Sequence, residues 1–416
     1  MTTPLVFFKP LPFAGVSAWR LRRAIQALCW GVALAGAGGV SAQPRFAPAA
    51  GQIVLPSAVH AQSGQPGSLR ALEQDWRRKP QDLDAALRYA RAVFVLGLTE
   101  GDLRWYGSAK AALQPWWDRP TLSAQGHFVR GLVHQGFHDF DAGLRDFNAA
   151  IALDPQQSEF WSWRFALHLL LSDMRAAGED CQEIQRRFGQ DEADACRATL
   201  LYRTGQARQA TALWDRLVRL PDFQAGLTQD WLRFHQGEAY RTLGQYDRAI
   251  AIWEQHLKAR PQSHLVRLSL ADLLNQQGQY ARAKRSAAVS GEPTDALLMQ
   301  SLLASQGLGD PDTEKLAAQF ESRMQSQALR QESMIERPKM IYLIVYGRDV
   351  PAGLALAERN WKEQNEPADA VLLVQAALKL DRPQAAAPVL AWMAQTGYTD
   401  ALLQPLAQQL QARLAR

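Results

Sequence analysis

The chain has 416 residues, of which 47% are hydrophobic and 21% charged, so it has the apolar material for an extended core and is not a disordered chain. Its formal charge of +5 invites a nucleic-acid reading, but residues 1–42 hold Lys9, Arg20, Arg22 and Arg23 and no acid, which leaves a nearly neutral body. Such a body cannot neutralise the several phosphates that non-specific nucleic-acid binding requires, and nucleic acid is not an expected partner.

In chain order, Arg20-Leu21-Arg22-Arg23 precedes an uncharged, mostly apolar run from Ala24 to Val40 and the small residues Val40-Ser41-Ala42. That is the pattern of an export signal with a break before Gln43. The run is at the short edge of what spans a bilayer, which favours cleavage and a periplasmic protein. Retention as an inner-membrane anchor facing the periplasm is the alternative. Cys29 is followed by bulky Trp30, which argues against a lipid attachment site.

Residues 43–68, with Pro44, Pro48, Pro56 and Pro66 among Gly, Ser, Gln and Ala, read as a flexible tether. From residue 69 onward, Ala, Leu, Gln, Arg and Glu fill short amphipathic segments punctuated by Gly or Pro, as helical hairpins require. The division expected is an array over 69–335 and further divergent hairpins over 336–416, packed on the array. Ile341-Tyr342-Leu343-Ile344-Val345-Tyr346 is the one strand-like island, and its place at a repeat boundary favours a buried helix.

Self-similarity is the strongest signal. Gly237, Tyr240, Gly244, Tyr246, Ala249, Trp253 and Pro261 mark one unit; Gly131, His134, Phe140, Gly143, Phe147, Ala150 and Pro155 mark another in the same phase. Small residues such as Gly131 and Gly143, or Gly237 and Ala249, let the two helices of a hairpin approach, and aromatics such as Phe140 and Phe147 fill the wedge against the next hairpin. Trp161, Met174, Ala177 and Cys181 mark a third hairpin; Ala198, Gly205, Ala210 and Trp214 a fourth; Ala271, Gly278, Tyr280 and Ala283 a sixth. Residues 80–117 read as a divergent first unit with an insertion around Thr99-Glu100-Gly101-Asp102.

These positions resemble the tetratricopeptide-repeat family, with a unit of about 34 residues and about eight to ten units in all. The resemblance implies an all-α, right-handed superhelical solenoid of antiparallel helix hairpins. The region after the tether also resembles exported proteobacterial tetratricopeptide proteins of largely unassigned function. It does so through Glu100-Gly101-Asp102, Ala111 to Trp117, His138-Asp139-Phe140-Asp141-Ala142, Ala357-Glu358-Arg359-Asn360-Trp361 and Glu366-Pro367-Ala368-Asp369-Ala370. Proteins of that kind accompany membrane proteins similar to metal permeases, which implies association with an inner-membrane protein.

The family binds peptides or proteins along the first helices of its hairpins, and the resemblance places Phe128, Tyr202, Arg203, Trp231, Phe234, Glu238, Arg241, Leu268, Asp272 and Asn275 on that groove. Aromatics beside charges are the composition of a binding hot spot. Cys181 at a wedge position and Cys196 in the next first helix favour a disulfide over two buried thiols; a loop of about 15 residues would contribute roughly 3 kcal/mol.

His134 and His138 stand four apart beside Asp139 and Asp141, but one occupies a core position and the other a turn, so no metal ligand is assigned. Most of the 13 Trp fall on wedge positions. No phosphate loop, nucleophile elbow or paired acid and base stands out, so neither an enzyme nor a cofactor is expected. The reading is a periplasmic scaffold for a peptide or protein partner, with a metal-handling role centred on His127, His134 and His138, or an envelope assembly role, as alternatives.

Overall fold

The computed structural model describes residues 68–100, 104–220, 226–329 and 336–416. The described residues form twenty α-helices and no strand. A leading helix α1 (Leu69–Arg78) packs on a hairpin of α2 (Leu83–Glu100) and α3 (Arg104–Leu113), the first unit. Five further hairpins follow: α4 (Ala124–Gly136) with α5 (Phe140–Leu153), α6 (Ser158–Leu170) with α7 (Met174–Phe188), α8 (Gln190–Arg203) with α9 (Ala207–Leu217), α10 (Gly226–Thr242) with α11 (Tyr246–Ala259), and α12 (His264–Gln276) with α13 (Tyr280–Ala287). Helices α14 (Asp295–Leu308) and α15 (Thr313–Leu329) make the seventh.

The rest is a C-terminal unit: α16 (Glu336–Ile341) continued by a π-helical turn at Tyr342–Tyr346, then α17 (Val350–Glu363), α18 (Pro367–Lys379), α19 (Ala387–Thr396) and α20 (Leu403–Leu414). The strand-like island is therefore helical. Its apolar run buries Tyr342 and Ile344, and a helix can do that without strand partners.

The small residues close the hairpins as expected, but the aromatics Phe147 and Trp253 fill the space within their own hairpin. A Cβ added to Gly131 would lie 2.8 Å from the Phe147 ring, and one added to Gly237 would lie 2.1 Å from Trp253 Nε1. Each glycine thus lets an aromatic of the second helix lie directly on the backbone of the first. Trp214 and Trp253 are fully buried.

The turns repeat as well. In units two to seven the same backbone bond closes the first helix, from Asp139 N to His134 O, Asp173 N to His168 O, Gln206 N to Leu201 O, Gln245 N to Tyr240 O, Gln279 N to Leu274 O and Asp310 N to Ser305 O, all between 2.8 and 3.0 Å. This is the Schellman closure, which needs a residue in the left-handed region. In units two to six that residue is His138, Ser172, Gly205, Gly244 or Gly278, with φ from 58° to 78°.

Cys181 on α7 and Cys196 on α8 are joined by a disulfide, with their Cα atoms 5.6 Å apart. A buried ion pair also recurs. Arg130 Nη2 donates to Asp146 Oδ1 at 2.7 Å in unit two, and Arg164 Nη2 to Asp180 Oδ1 at 2.5 Å at the equivalent positions of unit three.

Candidate partner-binding surface

The residues assigned to the groove divide into two sets. Phe128 is fully buried between Phe147 and Phe160, with ring centroids 5.9 and 4.6 Å away. Tyr202 is buried with its hydroxyl 2.6 Å from His235 Nδ1, and Trp231 packs on His235 and, edge to face, on Trp214. Phe234 is half-buried against His235, and Leu268 packs on Ala271, Ala287 and Leu297. These apolar members are covered because consecutive hairpins stack: α5 on α6, α9 on α10 and α13 on α14. Burial holds His235 well below the ordinary histidine range, with Arg203 adding to the effect.

The polar members do something else. Arg203 and Arg241 stand at the ends of α8 and α10, next to the left-handed turns, and both point at carboxylates of the C-terminal unit. Arg203 Nη1 lies 3.9 Å from Glu366 Oε1, and Arg241 Nη1 lies 3.3 Å from Asp400 Oδ2. Arg241 is also paired with Glu238 at 3.0 Å. Burial works against the charge of Arg241, but Glu238 and Asp400 hold its guanidinium well above its ordinary range.

Asp272 accepts from Gln276 Nε2 at 2.7 Å and from Gln300 Nε2 at 3.2 Å. Burial raises its carboxyl to about 6, an effect that Arg241 offsets in part. Asn275 donates to the backbone and side-chain oxygens of Gln300 at 2.9 and 2.8 Å.

The contacts of Arg203 and Arg241 belong to a longer row that runs along the turns. At the α6–α7 turn, Ser172 Oγ accepts from Trp392 Nε1 at 2.7 Å and donates to Asn365 O at 3.3 Å, and Asn365 N donates to Leu170 O at 3.2 Å. At the α8–α9 turn, Gly205 lies so close to Gly397 that an added Cβ would sit 2.2 Å from the Gly397 carbonyl oxygen. At the α10–α11 turn, Ala401 N donates to Thr242 O at 3.1 Å, and a Cβ on Gly244 would be 3.0 Å from that of Ala401. At the α4–α5 turn, burial lowers His138, while Glu363 and Glu366 of the C-terminal unit work against that. The C-terminal unit therefore lies along the turns of units three to five. Gly278, the equivalent residue of unit six, has no atom near enough to meet a Cβ.

The histidines resolve into structural positions. His134 packs on Trp117 with ring centroids 4.4 Å apart, and its Nε2 is 4.0 Å from Asp146. His168, at the equivalent position of unit three, lies 3.8 Å from Asp180. His127 Nδ1 is 2.7 Å from Asp146, and His138 turns away at φ 60° to stack on Phe140. The recurrence of Arg130, His134 and Asp146 as Arg164, His168 and Asp180 is a signal the groove-based reading missed, and the repeat phase alone could have found it.

Among solved structures, the chain is similar to a tetratricopeptide repeat protein from Parabacteroides merdae, at 18% identity over 58% of this chain and 93% of that one, with a TM-score of 0.38. It is also similar to PilW, described as a widely conserved type IV pilus biogenesis factor, at 17% identity over 49% of this chain and 92% of that one, with a TM-score of 0.37. No curated protein matches the sequence. The tetratricopeptide repeat family model matches residues 128–192 and 234–296, which are units two and three and units five and six of the hairpin array. With matched repeats, small-against-aromatic hairpins and a turn closed in the same way six times over, the chain carries tetratricopeptide repeats in an all-helical array of hairpins.

Proposed function

We propose that the chain is a periplasmic scaffold, not an enzyme, that holds a peptide or protein partner and serves an envelope or inner-membrane complex. The observation that carries this reading is the turn edge of the array. Its end-of-helix carbonyls, Leu170 O and Thr242 O, accept backbone N–H groups from another segment, while Arg203 and Arg241 face that segment's carboxylates. Main-chain acceptors beside arginines are the equipment of peptide recognition. The basic, apolar and small-residue order of residues 20–42 supports export.

Two measurements test this. A photo-crosslinking residue at Phe234, at the edge of the assigned groove, should trap a partner in the host's envelope fraction, whereas one at exposed Gln255 should not; trapping only at Gln255 would move the interface to the outer face. A reporter enzyme active only after export, fused after residue 68, should be active, and an inactive fusion with normal expression would overturn the periplasmic location.

A further inference from the structure

The C-terminal unit is held by two different kinds of contact. It is joined to unit seven by an apolar cluster in which Leu298, Met299, Leu302 and Phe320 pack with Tyr342. Its own core, running from Met340 to Leu410 through Trp361 and Trp392, is separate from the core that spans units one to five. Where it lies along the turns of units three to five, the hydrogen bonds and ion pairs are one tryptophan N–H, one serine hydroxyl, two backbone N–H groups and two carboxylates facing two arginines, beside the close approaches of Gly205 to Gly397 and Gly244 to Ala401. Polar interfaces between separately cored bodies open and close far more readily than shared cores do.

The docked arrangement also leaves Arg203 poorly served. The residue is only 7% exposed, yet its Nε has no hydrogen-bond partner among the described residues. Its best bond is 3.3 Å to Leu169 O, and Glu366 stands beyond hydrogen-bond reach at 3.9 Å. A buried guanidinium without close acceptors is costly, so a carboxylate able to approach Arg203 more closely would bind in preference to Glu366.

Resting on the partner-binding reading above, we propose that residues 336–416 are an intramolecular ligand of the array, hinged on unit seven, and that an acidic partner segment binds Arg203 and Arg241 in place of Glu366 and Asp400. Partner capture and release of the C-terminal unit are then one event. The resident unit sets a threshold that only a segment with two suitably placed carboxylates passes.

The test uses the full chain with Glu366→Gln and Asp400→Asn together. Both replacements keep an oxygen for the partners inside the C-terminal unit, where Asp400 Oδ1 accepts from Leu402 N at 2.7 Å and Glu366 Oε2 accepts from Arg337 Nη2 at 2.7 Å. By hydrogen exchange, the amides of Asn365 and Ala401 should exchange at least about tenfold faster than in the parent, while those of α18 and of units two to five keep parental rates. Unchanged rates at Asn365 and Ala401, or loss of protection throughout the C-terminal unit, would overturn the hinge.

The second readout is fluorescence anisotropy with a labelled decaglutamate peptide. The double variant should bind it at least about tenfold more tightly than the parent, and adding Arg241→Ala should abolish the gain. Equal binding by parent and variant, or a gain indifferent to Arg241→Ala, would overturn the acidic partner. An opened variant that binds no peptide at all would count against the partner-binding reading itself, whereas a variant that never opens counts against the hinge alone.

Discussion

Within the array, neighbouring helices meet through glycine against aromatic: Gly131 under Phe147, Gly237 under Trp253. Along the turns of units three to five, the C-terminal unit meets the same array through Ser172, Asn365, Trp392, Arg203, Glu366, Arg241 and Asp400. The first kind of contact has no good alternative, because exposing a buried tryptophan is expensive and nothing else fits beneath it. The second kind has a ready alternative in water, so it can be strong in sum and still be exchanged. The contrast separates a stack built on buried aromatics from an edge built on hydrogen bonds and ion pairs, the edge to which the proposed exchange of ligands belongs.

The sharpest way to test that contrast is to damage the stack. Trp253→Ala removes a fully buried side chain whose Nε1 donates to Arg233 O at 3.1 Å, and should lower stability by about 3–5 kcal/mol in denaturant titration. A loss under about 1 kcal/mol would mean that the wedge is not what holds unit five.

Next comes the covalent tie between units three and four. Replacing Cys181 and Cys196 with Ala should cost about 3 kcal/mol, read as a lower midpoint that matches the parent under reducing conditions. No difference between oxidised and reduced parent would show that the bridge contributes little.

Asp272 gives a smaller effect of opposite sign. Its carboxyl sits at about 6 in the folded chain against an ordinary 3.8, so the folded state holds the proton more tightly than the unfolded state does. That favours folding below about pH 4 and is lost as pH rises through 6. Asp272→Asn should therefore stabilise the chain by about 1–2 kcal/mol at pH 7.5 and by almost nothing at pH 4, as read by paired melting curves. A gain of the same size at both values would assign the effect to packing.

The smallest effect expected is at the edge. Ser172→Gly relieves a left-handed serine at φ 58° but removes the hydroxyl between Trp392 and Asn365, so global stability should change by less than about 1 kcal/mol. Exchange at the Asn365 amide should nevertheless rise, which separates the edge from the stack. A large fall in melting temperature would show that the two are one cooperative body.

Much of the stack was legible before any coordinates. Gly131 and Gly237 announce a close hairpin because only a residue without a Cβ admits an aromatic at that distance, although the aromatics expected against the next hairpin, Phe147 and Trp253, lie on these glycines within their own. The turn glycines Gly205, Gly244 and Gly278 announce the left-handed closure in the same way. The candidate surface was far less legible. Phe128, Tyr202 and Trp231 carry the composition of a hot spot, but buried cores and hot spots are both rich in aromatics, and only their packing on Phe160, His235 and Trp214 of adjacent helices shows that these side chains are covered. Arg203 and Arg241 were assigned to the groove, yet their facing carboxylates, Glu366 and Asp400, lie in another unit and no repeat phase links them.

The amino-acid sequence by itself determined the elements, the hairpin pairing and the phase of the repeat, because helix periodicity, left-handed turns and small-against-aromatic packing act between residues close in the chain. Only the tertiary structure decided which face of the array is open and which is covered. Backbone bonds such as Ala401 N to Thr242 O and ion pairs such as Arg241 to Asp400 depend on how far the solenoid bends and where its last unit folds back. That bend sums small rotations over seven hairpins, and no single residue encodes it.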